Sequence, residues 1–300
     1  MTNEPSLAAP VVQTPGLPAA PNHRPPGFVT SSLRIFDLSV GEMLWSRRTI
    51  FMALVVAAPV LIALILRLLV GLGAPFFEEP RGGGGSIRMN GPAMFGLIIW
   101  GMYLRFIVPV LGVFYGTSLM ADEVEDKTIT YLFTRPIPRG AVLVGKYLAY
   151  LGCTVFVVLP SIVLVYLLIV PLKGSLGAAF PDLLKDLLLL GLGLAVYGAV
   201  FAFVGAKFKR PLLIGLIFVF GWEQAALAFP GYLKQFTVMF YLQAIVPHAM
   251  PNDGFVSMIQ GLFRETPGLA TSLFWLSVIW AVFLGWGARI VGSKEYVLEQ

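Results

Sequence analysis

Charge is what this sequence has least of. Only 12% of its 300 residues are Asp, Glu, Lys or Arg, against about 25% in an ordinary soluble domain, and 57% are hydrophobic. Such a balance cannot cover a water-facing surface. Cysteine is nearly absent: Cys153 stands alone inside an apolar run, which excludes a disulfide framework or a cysteine metal site within one chain and leaves a small packing residue. The two histidines, His23 and His248, have no neighbours at metal or triad spacing, so no catalytic constellation is visible. The net charge of +5 comes from basic residues at the ends of apolar runs rather than in one stripe, which sets nucleic acid aside as a partner.

What is present are long apolar runs. Six stand out, at about Thr49 to Leu72, Ala93 to Met120, Lys146 to Val170, Leu187 to Ala206, Leu212 to Phe229 and Leu269 to Ile290. Each approaches or passes the roughly 20 residues that span a bilayer, where only a helix satisfies its own backbone. Pro59, Pro109 and Pro160 lie inside three of the runs, tolerable as kinks in lipid. The expected fold is an all-α integral membrane protein with six transmembrane helices, occupying 31–300. Residues 1–30, rich in Pro, Ala and Thr, have too little to bury to fold and are expected to be a disordered cytoplasmic tail without the features of a signal peptide.

Basic residues flank the runs unevenly. With the N-terminus inside, thirteen of the 21 Lys and Arg residues face the cytoplasm and six the outside, Arg67 and Arg105 lying within spans; this places both termini in the cytoplasm. Ahead of the first span, Leu33, Phe36, Val40, Met43 and Leu44 form one helical stripe, the pattern of a helix lying in the membrane interface. The outer loop between spans 5 and 6, Pro230 to Pro267, has apolar residues at helical spacing on both sides of Pro247 and Pro251 and is expected to form two short external helices.

The most charged stretch lies between spans 2 and 3, from Asp122 to Gly140. Glu123 precedes Lys127 by four residues, the favourable order for a helical pair. Ile129, Leu132 and Phe133 add an apolar stripe, and Pro136 and Pro138 end the helix. A short amphipathic lever projecting into the cytoplasm suits docking into a partner's groove. Its acids, Asp122, Glu123, Glu125 and Asp126, would diverge along one helix and so do not make a hard-cation site. Gly140 to Lys146 imitates a phosphate loop, but Tyr147 stands where a magnesium-binding hydroxyl is needed and a membrane helix follows, so nucleotide is not bound by this chain.

Glu123, Glu125, Thr128, Leu132, Arg135-Pro136-Ile137, Arg139 and Gly145-Lys146-Tyr147 resemble the corresponding segment of type 2 ABC transporter permeases, a resemblance extending over about Ser31 to Ile290. In that family this segment is the coupling helix, held in a cleft of a cytoplasmic ABC ATPase. The resemblance implies that Glu123, Glu125, Lys127, Thr128, Leu132, Arg135, Pro136 and Arg139 couple ATP hydrolysis, with ATP and magnesium on the separate ATPase and no cofactor on this chain, to export or flipping of a substrate. It also implies a homodimer or heterodimer of permeases in a bacterial or archaeal plasma (inner) membrane. A lumen rich in Phe, Leu and Gly suits lipid-linked or amphipathic cargo. The competing readings are an integral membrane enzyme acting on lipid or peptide substrates, disfavoured by the missing catalytic groups, and a passive channel.

Three charges lie inside the apolar runs. Arg67 is near the outer end of its span and can reach the surface. Arg105 and Glu223 are deeper, where a charge costs about 2.5 to 3.5 kcal/mol on insertion scales, and are expected to face the bundle interior, paired with each other or lining a polar pathway.

Overall fold

A computed structural model describes residues 27–44, 47–73, 90–125, 138–172, 174–228, 232–246 and 267–293. It is all-helical over these residues, with no strand among them. Five helices are long and apolar enough to cross a membrane. Span 1 is Arg47–Gly71, span 3 is Arg139–Ile169, span 4 is Leu176–Lys207 and span 6 is Leu269–Ser293. Span 2 starts at Gly91 and continues through Thr117–Glu125. The expected fifth span is a shorter apolar helix beginning at Pro211.

The inner residues of span 2 and span 5 are not plain α-helix. Ile99–Ile107 and Gly112–Gly116 of span 2, and Ile217–Glu223 of span 5, are π-helical. In span 2 the wide turns bracket Pro109, which has no N–H for the carbonyl of Arg105; beside it the Val108 N–H reaches back five residues to the Tyr103 carbonyl. Such turns widen the helix without breaking it.

Glycine sets how closely the helices approach. Gly112 and Gly116 form a small-xxx-small pair, the sort that lets membrane helices touch through their backbones. A Cβ added at Gly112 would lie 2.8 Å from Tyr197 Cβ, and one at Gly116 2.8 Å from Phe201 Cβ, both on span 4. From the other side, Gly205 of span 4 presses on the Thr117 backbone. Hydroxyls then tie the bundle where lipid offers no partner: Tyr103 shares a 2.9 Å bond with Ser161, joining spans 2 and 3. Tyr147 donates to the Ala195 carbonyl at 2.8 Å and accepts from Trp280 Nε1 at 2.7 Å, so spans 3, 4 and 6 meet at one phenol. Arg67 donates at 2.8 Å to the Leu168 carbonyl, filling an acceptor that the last turn of span 3 leaves open.

The helix ahead of span 1 forms over Phe28–Leu44, but it docks by a different edge from its apolar stripe. Ser31, Ser32, Ile35 and Ser39 are buried, while Leu33 is 56% exposed. Small residues explain the choice. A Cβ at Gly145 of span 3 would sit 2.6 Å from the Ser32 carbonyl, and Gly152 leaves room for the Phe36 ring. Phe28, Val29, Leu33 and Leu38 remain exposed, as an interface-lying helix requires.

Between spans 5 and 6, a 3₁₀ turn at Tyr232–Phe236 leads into a helix at Val238–Gln243, capped by Thr237, whose hydroxyl accepts from Phe240 N at 3.3 Å. This helix dips between spans: Leu242 is fully buried, and a Cβ on Gly193 of span 4 would meet it at 3.4 Å. The second expected external helix, around Phe255 to Leu262, falls outside the described residues.

Candidate functional site

Two places collect the polar chemistry of this bundle. At its C-terminal end, the span 2 helix runs on through Asp122 and Glu123 to Glu125, so the acidic start of the segment between spans 2 and 3 continues a membrane span rather than beginning a separate helix. Span 3 begins at Arg139, directly after Pro138 and seven residues before Lys146. Arg139 is exposed, and a Cβ on its neighbour Gly140 would lie 3.1 Å from the Ala288 carbonyl of span 6. The C-terminal end of span 2 also touches span 3. Both ends of the lever are therefore seated on packed helices. Lys127, Thr128, Leu132, Arg135 and Pro136 lie outside the described residues, as do the side chains of Glu123 and Glu125.

The second place is inside the bundle. Glu223 is 1% exposed. Its Oε2 accepts from the Tyr197 hydroxyl at 2.6 Å and its Oε1 from the Val238 N–H at 3.2 Å. One carboxylate thus joins span 5, span 4 and the first turn of the dipping helix, whose positive end it faces. Arg105 does not take part. Its Nε and Nη2 donate to Gln224 Oε1 at 3.2 and 2.8 Å, and its guanidinium lies 5.3 Å from the centroid of the Trp100 ring. The two charges, expected to pair or to line a polar pathway, are not ion-paired: adjacent residues of span 5 take different partners, Glu223 taking Tyr197 and Gln224 taking Arg105. The wide turn ending at Glu223 is where these partners diverge.

Sequence reasoning missed Gln224 and Tyr197. A lone amide within an apolar run was the available signal for Gln224, and it went unread because it carries no charge. Tyr197 gave none, since a tyrosine in a span reads as bulk until its hydroxyl has a partner.

Residues 44–290 match the family described as ABC-2 family transporter protein. No curated protein matches the chain. The chain belongs to the ABC-2 transporter family: it is a multi-pass membrane protein and a permease-type transport subunit, and that membership implies an ABC ATPase as its partner.

Proposed function

We propose that this chain is the membrane half of an ATP-driven exporter or flippase, in which a separate cytoplasmic ABC ATPase hydrolyses ATP and grips the segment between spans 2 and 3. The observation that carries the reading is the seating of that segment. A helix continuous with span 2 enters it at Glu125 and a helix continuous with span 3 leaves it at Arg139, so a pull on residues 126–137 acts directly on two spans. Glu123, Glu125, Lys127, Thr128, Leu132, Arg135, Pro136 and Arg139 supply the partner-facing surface. ATP and magnesium reside on the ATPase. Two permeases, identical or paired with a second gene product, complete the translocation path in a bacterial or archaeal inner membrane, with both termini in the cytoplasm.

The test is purification of this chain after co-expression with the ABC ATPase proposed as its partner. Wild-type chain should retain the ATPase through size exclusion and modulate its hydrolysis rate. Reversing Glu123 and Glu125 to lysine together should abolish retention while leaving the yield and elution volume of the permease unchanged. Retention of the ATPase by the doubly reversed chain would refute the docking role of this segment.

A further inference from the structure

We propose that Arg105 is the recognition point for an anionic head group, so that the cargo is an amphiphile with a phosphate or carboxylate at one end. This rests on the transporter reading given above and names the substrate class for it. Arg105 lies fourteen residues into span 2 from Gly91, about 21 Å along the helix. Gln224 lies thirteen residues from Pro211 at the opposite end of span 5, about 20 Å. The pair therefore lies well inside the apolar length of span 2 and in the last turns of the helix of span 5. A charge there marks a functional position.

The bonding of Arg105 leaves it short of an anion. A guanidinium carries five N–H donors in a fixed fork. Gln224 takes two of the donor atoms through one neutral amide oxygen, which removes no charge. Among the described residues no carboxylate lies within ion-pair reach of Arg105, and Glu223, its closest acid in sequence to Gln224, is engaged by Tyr197 and Val238. Trp100 backs the cation from one side, placed there by the π turn that brings residues five apart into line. Arg105 is half-buried, and Gln224 engages only Nε and Nη2, which leaves Nη1 and the second Nη2 hydrogen for a ligand. A planar fork held this way matches two oxygens of a phosphate or carboxylate.

The rest of the seam fits the apolar body of such a molecule. Phe106 and Phe220 meet across it with centroids 6.3 Å apart and are 48% and 47% exposed. Ile217, three residues before Phe220 in span 5, is 69% exposed. A cation beside an aromatic-walled apolar strip is complementary to a head group with a chain, and to neither half alone.

The experiment uses the full chain purified in a neutral detergent, without an ATPase, and the probe 11-(dansylamino)undecanoic acid, read by energy transfer from tryptophan. The matching dansyl alcohol is the uncharged control. The wild type and Arg105→Lys should bind the acid at least tenfold more tightly than the alcohol. Arg105→Gln should lose that preference. Gln224→Glu is the stronger arm, because it supplies an internal carboxylate that keeps the tie between spans 2 and 5, so a folded protein should result whose acid preference is gone. Displacement by phosphatidylglycerol but not phosphatidylcholine assigns the head group to a lipid, and displacement by dodecanoate alone to a soluble amphiphile. Equal acid preference in the wild type, Arg105→Gln and Gln224→Glu, or displacement by neither anion, overturns the proposal. Since no ATPase is present, this outcome leaves the coupling reading standing, and failure of the ATPase to co-purify leaves the anion site standing.

Discussion

Replacing Gly205 by alanine tests the packing on which every functional distance above depends. The Cβ of an alanine at 205 would collide with the Thr117 carbonyl oxygen and lie 3.0 Å from the carbonyl carbon and 3.1 Å from the Cα of the same residue. The obstacle is backbone, so no side chain can swing aside. Restoring an ordinary separation of 3.4 Å at the Thr117 oxygen forces the two backbones apart by about 1 Å at the crossing. A gap of about 0.5 to 1 Å already forfeits a quarter to a half of each van der Waals contact across the seam, and overpacking of this kind costs about 1 to 3 kcal/mol. That is about five- to 150-fold in the folding equilibrium. Gly191, on the same helix, is the internal control: nothing lies within 4 Å of its added Cβ, and alanine there should be neutral or slightly stabilising through helix propensity. Unfolding by sodium dodecyl sulfate, followed by circular dichroism, measures both. If Gly205→Ala and Gly191→Ala unfold at the same detergent fraction, the close crossing of spans 2 and 4 is wrong.

Further outcomes follow from single contacts. Tyr197→Phe removes one donor from the buried Glu223 carboxylate and should destabilise by about 1 kcal/mol, with Glu223→Gln non-additive to it in a double-mutant cycle because the two share one bond; strict additivity would deny that bond. Tyr147→Phe should lower the melting temperature more than Trp280→Phe, because the phenol both donates to Ala195 and accepts from Trp280; thermal melts monitored by size exclusion give the order. In a Cys153→Ala background, Thr128→Cys should react with an impermeant maleimide only from the cytoplasmic side of oriented vesicles, and labelling from outside would reverse the topology.

The membrane class and the spans were legible because lipid demands runs that water-soluble folds do not contain. The ends were less so, and charge is the reason. The helix that carries span 4 begins at Leu176, eleven residues ahead of the apolar run from Leu187. Its first turns carry Asp182, Lys185 and Asp186, which read as loop, yet Asp182 and Lys185 pair at 3.0 Å one turn apart and Asp186 is fully buried. Span 3 begins at Arg139 because Lys146, taken as the edge of the membrane, sits half-buried within a continuous helix. The amphipathic stripe ahead of span 1 identified a real helix but carried no information on its docking edge: apolar periodicity reports what avoids water, and in lipid the closest packing goes to small residues such as Ser32 and Gly145. At the polar seam, charge located Arg105 and Glu223 but could not choose their partners, since that depends on which way a π turn aims two adjacent side chains.

Burial is graded across the bundle in a way that bears on how a pull at the lever would travel. In the most apolar stretch of each helix, 72% of span 4 is buried, 61% of span 2 and 44% of span 3, against 22% of span 1 and 11% of span 6. Spans 2, 3 and 4 are also joined to one another by backbone-close glycines and by the Tyr103 and Tyr147 bonds, the last of which reaches span 6 as well through Trp280. Densely packed helices move as a body rather than deforming, because interiors at this density transmit strain. The lever joins two members of that body. A force applied between Glu125 and Arg139 would therefore displace spans 2 to 4 together, carrying Tyr197 on span 4 and Arg105 on span 2. Span 5 would feel it through two hydrogen-bonded contacts, Tyr197 with Glu223 and Arg105 with Gln224, and through Gly215, where an added Cβ would lie 3.0 Å from Val113 of span 2 and 3.4 Å from Phe201 of span 4. Those bonds are the points at which motion of the packed trio can change the shape of the seam, and so are where a head group bound to Arg105 would sense the state of the lever.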